Sequence, residues 1–145
     1  MDSLICLSSQ CPSTWLTTLD VVRLCMAAFL AILFLQSGID KVVDRKGNVE
    51  WLTGHFANSP LASQVIPMLG VITVIEIGAG ALSALGFLVL LFTGSAKLAA
   101  WGALASLVAL LMLFFGQRVA KDYGGAAVLV PYFLVSLAAL WLMGS

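Results

Sequence analysis

Four apolar runs limit this chain to the few folds that are stable across a lipid bilayer. They cover residues 19–39, 65–92, 96–115 and 126–143. A helix needs roughly 20 residues to cross about 30 Å of hydrocarbon, so each run is long enough to span. A backbone in lipid must satisfy its own hydrogen bonds, which favours helices over open strands. The sequence therefore predicts an all-α fold, a four-helix transmembrane bundle in residues 19–145 that follows a polar N-terminal segment, residues 1–18.

The composition supports this fold class and excludes several functions. Only 10% of the 145 residues are charged, whereas soluble proteins average about 25%. Seven basic residues balance seven acidic ones, so no basic surface predicts nucleic-acid binding. His55 is the only histidine, which argues against a multi-histidine haem or metal site. We therefore predict no metal and no intrinsic cofactor.

A polar connection between the first two runs has a helical pattern of its own. Residues 44–47 are predicted to form a turn, with Asn48 as the N-cap of a short helix. Val49, Leu52 and Phe56 recur at helical spacing, as expected of a helix that lies along the membrane interface. Two interpretations stay open for this helix: a lid over a cavity in the bundle, or a simple tether at the membrane surface.

Basic residues beside the spans predict the orientation. The two larger connections carry five of them, and the opposite side carries two; they are Lys41, Arg45, Lys46, Arg118 and Lys121 against Arg23 and Lys97. Cytoplasmic loops carry the excess of Lys and Arg. The larger connections are thus predicted in the cytoplasm and both termini outside.

Glu76 is the residue within the spans that most requires an explanation. It lies deep in the second run, where an ionisable group costs several kcal/mol and usually faces a partner or a site. Arg23, about one turn into the first run, is the predicted partner, and Tyr132 is a second one. Glu76 is either a structural group, ion-paired or protonated beside a hydroxyl, or a proton-accepting or ligand-binding carboxylate.

A second group of polar residues gathers at the predicted cytoplasmic face. It consists of Ser37, Asp44, Arg118, Asp122 and Tyr123, with Asp122 a candidate N-cap for the fourth helix. One interpretation is a salt-bridged interfacial rim. The other is the polar mouth of a pocket for a quinone-like head group, with hydrogen-bond donors chosen from Gln36, Lys41, His55 and Tyr132.

The three cysteines suggest no redox centre. Cys6 and Cys11 have four residues between them, which is neither a CxxC motif nor a zinc pair. They can form a disulfide only if the N-terminus faces an oxidising compartment. Cys25 lies in an apolar stretch and is predicted to be a buried, inert thiol.

The most distinctive stretch is FLQSGIDKVVDRKGNVEWLTGHFANSPLA, residues 34–62. Together with other short motifs it resembles the DoxX family of small bacterial membrane proteins. The resemblance extends from residue 23 to the C-terminus. It rests on Arg23-Leu24, Phe34, Ser37, Gly38, Lys41, Glu76 with Gly78 and Gly80, and Asp122 with Gly124, Gly125 and Ala126.

The resemblance implies a role as well as a fold. DoxX-like proteins have four transmembrane helices in the bacterial inner membrane, and the founding relatives are associated with a thiosulfate:quinone oxidoreductase. This implies an accessory or anchoring subunit of a respiratory or redox complex, with lipid and other membrane subunits as partners, rather than a complete enzyme. The alternatives are a quinone-interacting component of a membrane oxidoreductase and a small transporter that uses Glu76.

Overall fold

The computed structural model describes residues 16–145, which form five α-helices. Their bounds are α1 Thr18–Val43, α2 Arg45–His55, α3 Val65–Thr93, α4 Lys97–Val119 and α5 Tyr123–Gly144, with a 3-10 turn, Ala62–Gln64, before α3. The described part of the chain contains no strand. The predicted four-helix bundle with a short helix between the first and second spans is confirmed. Cys6 and Cys11, with the disulfide that they can form only in an oxidising compartment, lie outside the described residues.

Four of the helices are long and apolar enough to cross a bilayer. α1, α3, α4 and α5 each contain an 18-residue window whose mean hydropathy is 2.1 to 2.3. The shortest, α5, has 22 residues, or about 33 Å at 1.5 Å per residue. Large apolar side chains such as Ile32, Val74 and Trp141 cover the outside of the bundle. The chain is therefore a multi-pass integral membrane protein.

The long helices pack in chain order as antiparallel neighbours. α3 lies between α1 and α4, and α5 packs mainly on α4. α1 approaches α3 most closely where glycines remove a side chain, because a methyl group added at Gly80 would lie 2.7 Å from the backbone nitrogen of Leu35. α3 and α4 meet in the same way at Gly86 and Gly102. Small residues at such crossings are how helices pack tightly in lipid.

This antiparallel order gathers the polar connections at one end of the bundle. α1 and α4 finish there, α3 and α5 begin there, and α2 connects the first two spans. We call it the polar end. Five of the seven basic residues lie at or near it, as counted from the sequence, so charge and topology agree on which loops are on the same side.

The start of α2 differs from the prediction. Asp44, rather than Asn48, is the N-cap, and its side chain accepts a hydrogen bond from the backbone nitrogen of Gly47 at 3.2 Å. Residues 45–47 thus form the first helical turn instead of a loop. Asn48 donates from Nδ2 to the carbonyl of Asp44 at 2.8 Å. Asp44 and Asn48 have similar N-cap preferences, so composition alone did not distinguish them.

The other helix ends follow the sequence. Asp122 is the N-cap of α5, as predicted, and its Oδ1 accepts a hydrogen bond from the Gly125 nitrogen at 2.8 Å. The turn between α3 and α4 occupies residues 94–96, with Gly94 in the left-handed region at φ 72°. So short a turn keeps α3 and α4 antiparallel along their whole length.

Candidate functional site

Glu76 lies inside the bundle, in an ion pair with Lys41. The Lys41 Nζ is 2.8 Å from Glu76 Oε2, and the Glu76 side chain is 1% exposed. Oε2 has no hydrogen-bond partner among the described residues, so the opposite charges hold the two groups together. Ser37 completes the group, because its Oγ donates to Glu76 Oε1 at 3.2 Å.

The geometry of α1 explains why a lysine near the helix end reaches a carboxylate in the span. Helical side chains point back toward the helix N-terminus, which for α1 is away from the polar end. Lys41 therefore extends into the bundle, where Nζ donates to Ser37 Oγ at 2.8 Å and to the Ser37 carbonyl at 3.3 Å. Gly38 brings α1 against Ile77 of α3, one residue from Glu76. Lys41, Ser37 and Glu76 form what we call the buried triad.

The predicted pairing of Arg23 with Glu76 is wrong. Arg23 donates from Nε to the carbonyl of Leu142 at 2.7 Å, and its guanidinium lies 3.6 Å from Asp20. Arg23 thus ties α1 to the last turn of α5 at the end opposite the polar end. α1 carries two basic residues, one on each side of the level of Glu76 along the bundle axis. Lys41 is the one that pairs with Glu76, because α1 approaches α3 closely at Gly38.

A cleft opens beside the buried triad at the polar end. Its void is about 90 Å³. α2 contributes part of the wall, which connects the short helix to the cavity in the way the lid interpretation requires. The lining is apolar apart from Lys41, His55 and Gln117; the apolar residues are Leu52, Phe56, Met68, Leu69, Ile72, Met112, Leu113 and Gly116.

His55 attaches α2 to the ends of α4 and α5. Its Nε2 lies 3.0 Å from Gln117 Oε1 and 3.6 Å from Asp122 Oδ2, and its ring stacks on Trp51 with the centroids 4.6 Å apart. The amide oxygen of Gln117 can only accept, so this contact requires a proton on Nε2. His55 is thereby held at the wall of the cleft with a fixed ring plane.

Two of the candidate donors lie outside this cleft, and the prediction of a buried Cys25 is wrong. Gln36 is exposed on the outside of α1 and does not line the cleft. Tyr132 stacks against Phe29 with the ring centroids 6.4 Å apart and is also absent from the cleft wall. Cys25 is exposed rather than buried. The common cause is rotation about the helix axis, which sequence depth does not fix.

The predicted polar rim divides into residues with separate local contacts. Ser37 turns inward to the buried triad, while Asp44 and Asp122 cap helices. Arg118 lies over the Tyr123 ring, 4.6 Å from its centroid, in a cation–π contact. Within the described residues, the only rim carboxylate that lies within 4 Å of a basic side chain is Asp122, 3.6 Å from His55.

Gln117 is the cleft residue that sequence reasoning missed. The signal available was its spacing, because Leu113, Gly116 and Gln117 fall on one helical face and all three line the cleft. Its amide orients His55 and offers both a donor and an acceptor next to the void.

Chemically, the site combines hydrogen-bond donors with apolar walls. The Gln117 amide can donate to an oxygen in the cleft, and the ammonium of Lys41 can do so in exchange for its 3.3 Å bond to the Ser37 carbonyl. Residues 16–145 contain no cluster of three or more His, Cys, Asp or Glu side chains suited to a metal ion. Comparison of the chain with protein-family models, curated proteins and solved structures finds no match.

Proposed function

We propose that this chain is a DoxX-like membrane protein that binds the head group of a quinone-like molecule in the cleft at the polar end. It does so as a component of a redox or respiratory membrane assembly. The observation that supports this proposal is the placement of Lys41, His55 and Gln117 on the wall of an otherwise apolar cleft. Ligand sites typically combine apolar walls with a few such polar groups.

The size of the cleft restricts what enters it. Pockets for drug-sized ligands measure about 300 Å³ or more, whereas this void is about 90 Å³. A compact head group fits such a space only if the rest of the molecule stays outside. In a membrane-embedded bundle, an isoprenoid or alkyl tail remains in the surrounding lipid, which is the arrangement a quinone requires.

The electrostatics of the wall favour a neutral head group. The ammonium of Lys41 is already compensated by Glu76 at 2.8 Å. A phosphate or carboxylate would therefore meet a neutral pair instead of an uncompensated cation, and would pay the cost of leaving water. The carbonyl oxygen of a quinone needs only a hydrogen bond, which Lys41 and Gln117 can donate.

Binding of short-tailed quinones tests this function. Purified protein in mild detergent is heated with a benzoquinone or a naphthoquinone that carries a short alkyl tail. We expect a rise in melting temperature that the corresponding alkyl alcohol does not produce. A melting temperature that no quinone changes would overturn the proposal.

Variants locate the binding to the cleft. Gln117→Leu and His55→Phe, which keeps the ring stacked on Trp51, should weaken the quinone-dependent shift. Tyr132→Phe is the matched control, since Tyr132 lies outside the cleft, and it should leave the shift unchanged. An equal loss of the shift in Tyr132→Phe would show that the ligand binds elsewhere.

The role in an assembly has its own test. As an accessory component, the chain would receive electrons from another subunit of the assembly. Purification in mild detergent should therefore recover a redox subunit together with the chain. Recovery of the chain without any other protein would refute the accessory role, while leaving quinone binding to the test above.

We propose the bacterial cytoplasmic membrane as the location, with the polar end in the cytoplasm. The excess of Lys and Arg at this end supports that orientation. In a background with Cys6, Cys11 and Cys25 replaced by serine, Ser95→Cys, in the turn opposite the polar end, should react with an impermeant maleimide added outside intact cells. Gly54→Cys, in α2, should react only after lysis.

A further inference from the structure

An exposed amide interrupts the outer surface of α1. Gln36 is exposed, seven residues before the end of α1 at Val43, or about 10 Å along the helix axis. The hydrophobic residues Ile32 and Ile39 on either side of it on this face are 66% and 51% exposed. Within residues 16–145 the Gln36 side chain has no hydrogen-bond partner. In particular, it is not hydrogen-bonded to Asp40, which lies one turn further along α1.

The direction of α1 prevents Gln36 from reaching water easily. Side chains of a helix lean toward its N-terminus, and the N-terminus of α1 is at the opposite end of the bundle. The amide therefore points deeper into the membrane rather than toward the nearby polar end. A primary amide in hydrocarbon is costly unless it is hydrogen-bonded, so this position calls for a partner outside the chain.

Gln36 belongs to a stripe of exposed residues that alternate in steps of three and four. The stripe consists of Val22, Cys25, Phe29, Ile32, Gln36, Ile39 and Val43. Such spacing alone describes any face of a helix. The informative feature is that one amide stands among apolar side chains, at the position where a single polar residue specifies register and oligomeric state in paired helices.

We propose that this stripe is an interface with a second copy of the chain, paired through Gln36. An amide both donates and accepts, so two Gln36 side chains that face each other across a two-fold axis satisfy one another. Two copies inserted in the same orientation present parallel α1 helices, in which identical residues meet. This inference is independent of the proposed quinone site, which lies inside the bundle.

Cysteine cross-linking tests the geometry, and the native Cys25 is a ready probe. Cys6 and Cys11 are replaced by serine, and the protein is oxidised in liposomes at a high ratio of lipid to protein. Cys25, and Ile32→Cys in a Cys25→Ser background, should both give disulfide dimers. The matched control is Val74→Cys in the Cys25→Ser background, on the lipid-facing side of α3 and 71% exposed, which should stay monomeric.

The dimer affinity tests the role of the amide. Fluorescence energy transfer between labelled copies, followed on dilution with lipid, gives the dissociation constant. Removal of the interhelical hydrogen bonds in Gln36→Leu should weaken the dimer roughly three- to thirty-fold, given about 0.6 to 2 kcal/mol for such bonds in membranes. Val74→Ile, on the lipid-facing side of α3, should leave the affinity unchanged.

Several results would overturn the interface. These are equal cross-linking at Val74→Cys, no cross-linking at both Cys25 and Ile32→Cys, or a Gln36→Leu dimer as tight as the original. Because the Gln36 side chain is exposed and has no hydrogen bond to another described residue, Gln36→Leu should fold normally, and an unchanged melting temperature checks this.

Discussion

The ammonium of Lys41 lies 2.8 Å from Oε2 of Glu76, inside the bundle, where the glutamate is 1% exposed and the lysine 17%. The difference in exposure makes the two partners unequal. Glu76 has no route to water, whereas Lys41 is two residues from the end of α1 and carries a flexible stem that can turn back toward the polar end.

This asymmetry predicts unequal costs of breaking the pair. Lys41→Met strands the glutamate and should lower the free energy of unfolding by about 3 kcal/mol or more. Glu76→Gln should cost less, because Lys41 can withdraw. The double variant should regain much of the loss of Lys41→Met. Unfolding by SDS titration in mixed micelles measures all three.

Arg23 supplies the control for that experiment. It is hydrogen-bonded to Leu142 and not to Glu76, so Arg23→Met and Glu76→Gln should be additive to within about 0.5 kcal/mol. A coupling between Arg23 and Glu76 as large as that of Lys41 would contradict the arrangement described here.

The glycines of α3 and α4 give a second prediction. A methyl group at Gly86 would lie 2.5 Å from the Ala99 backbone, and one at Gly102 would lie 2.7 Å from the Ser83 nitrogen, whereas one at Gly70 or Gly78 meets nothing within 4 Å. Gly86→Ala and Gly102→Ala should each cost about 1 to 3 kcal/mol. Gly70→Ala and Gly78→Ala should be neutral or stabilising by up to about 1 kcal/mol, since alanine favours a helix.

The same unfolding measurement distinguishes the two sets of glycines. Because all four variants make the same chemical change in a helix, helix propensity alone predicts a gain for each. A uniform gain would show that α3 and α4 pack less closely than the structure indicates.

The sequence predicts the spans well and the interior contacts poorly, for a physical reason. Hydrocarbon thickness fixes the length and number of the spans, so α1, α3, α4 and α5 match the predicted runs to within a few residues. Hydropathy carries no information about rotation around each helix axis. Gln36 and Ser37 are adjacent, yet the first faces outward and the second bonds Glu76.

Hydropathy also does not predict where two helices approach each other closely. The partner of Glu76 is Lys41 and not the predicted Arg23, because Gly38 brings α1 against α3 near the level of Glu76. Gln117 lies at the cleft wall next to His55 of α2, whose Nε2 contacts the Gln117 amide oxygen. Both depend on tertiary packing, whereas the Asp122 cap depends on local chain geometry and was predicted.

Asp122 has two contacts that substitutions can separate. Its Oδ1 caps α5 at the Gly125 nitrogen, and its Oδ2 lies 3.6 Å from His55 Nε2. Asp122→Ala removes both and should cost about 1 kcal/mol of unfolding free energy. Asp122→Asn retains a good N-cap, so we expect a loss of only a few tenths of a kcal/mol. If asparagine were as damaging as alanine, the carboxylate charge near His55 would be the more important contact.

Two left-handed residues at helix ends should respond in opposite directions. Gly94, at φ 72°, ends α3, and Lys121, at φ 61°, follows α4. A residue with a Cβ costs roughly 1 to 2 kcal/mol in this region, so Gly94→Ala should destabilise by about 1 kcal/mol. Lys121→Gly relieves the same strain but adds about 0.5 to 1 kcal/mol of chain entropy in the unfolded state. A net gain of about 0.5 kcal/mol is therefore expected for Lys121→Gly in SDS titration, and a loss there would show that its side chain contributes contacts that outweigh the backbone strain.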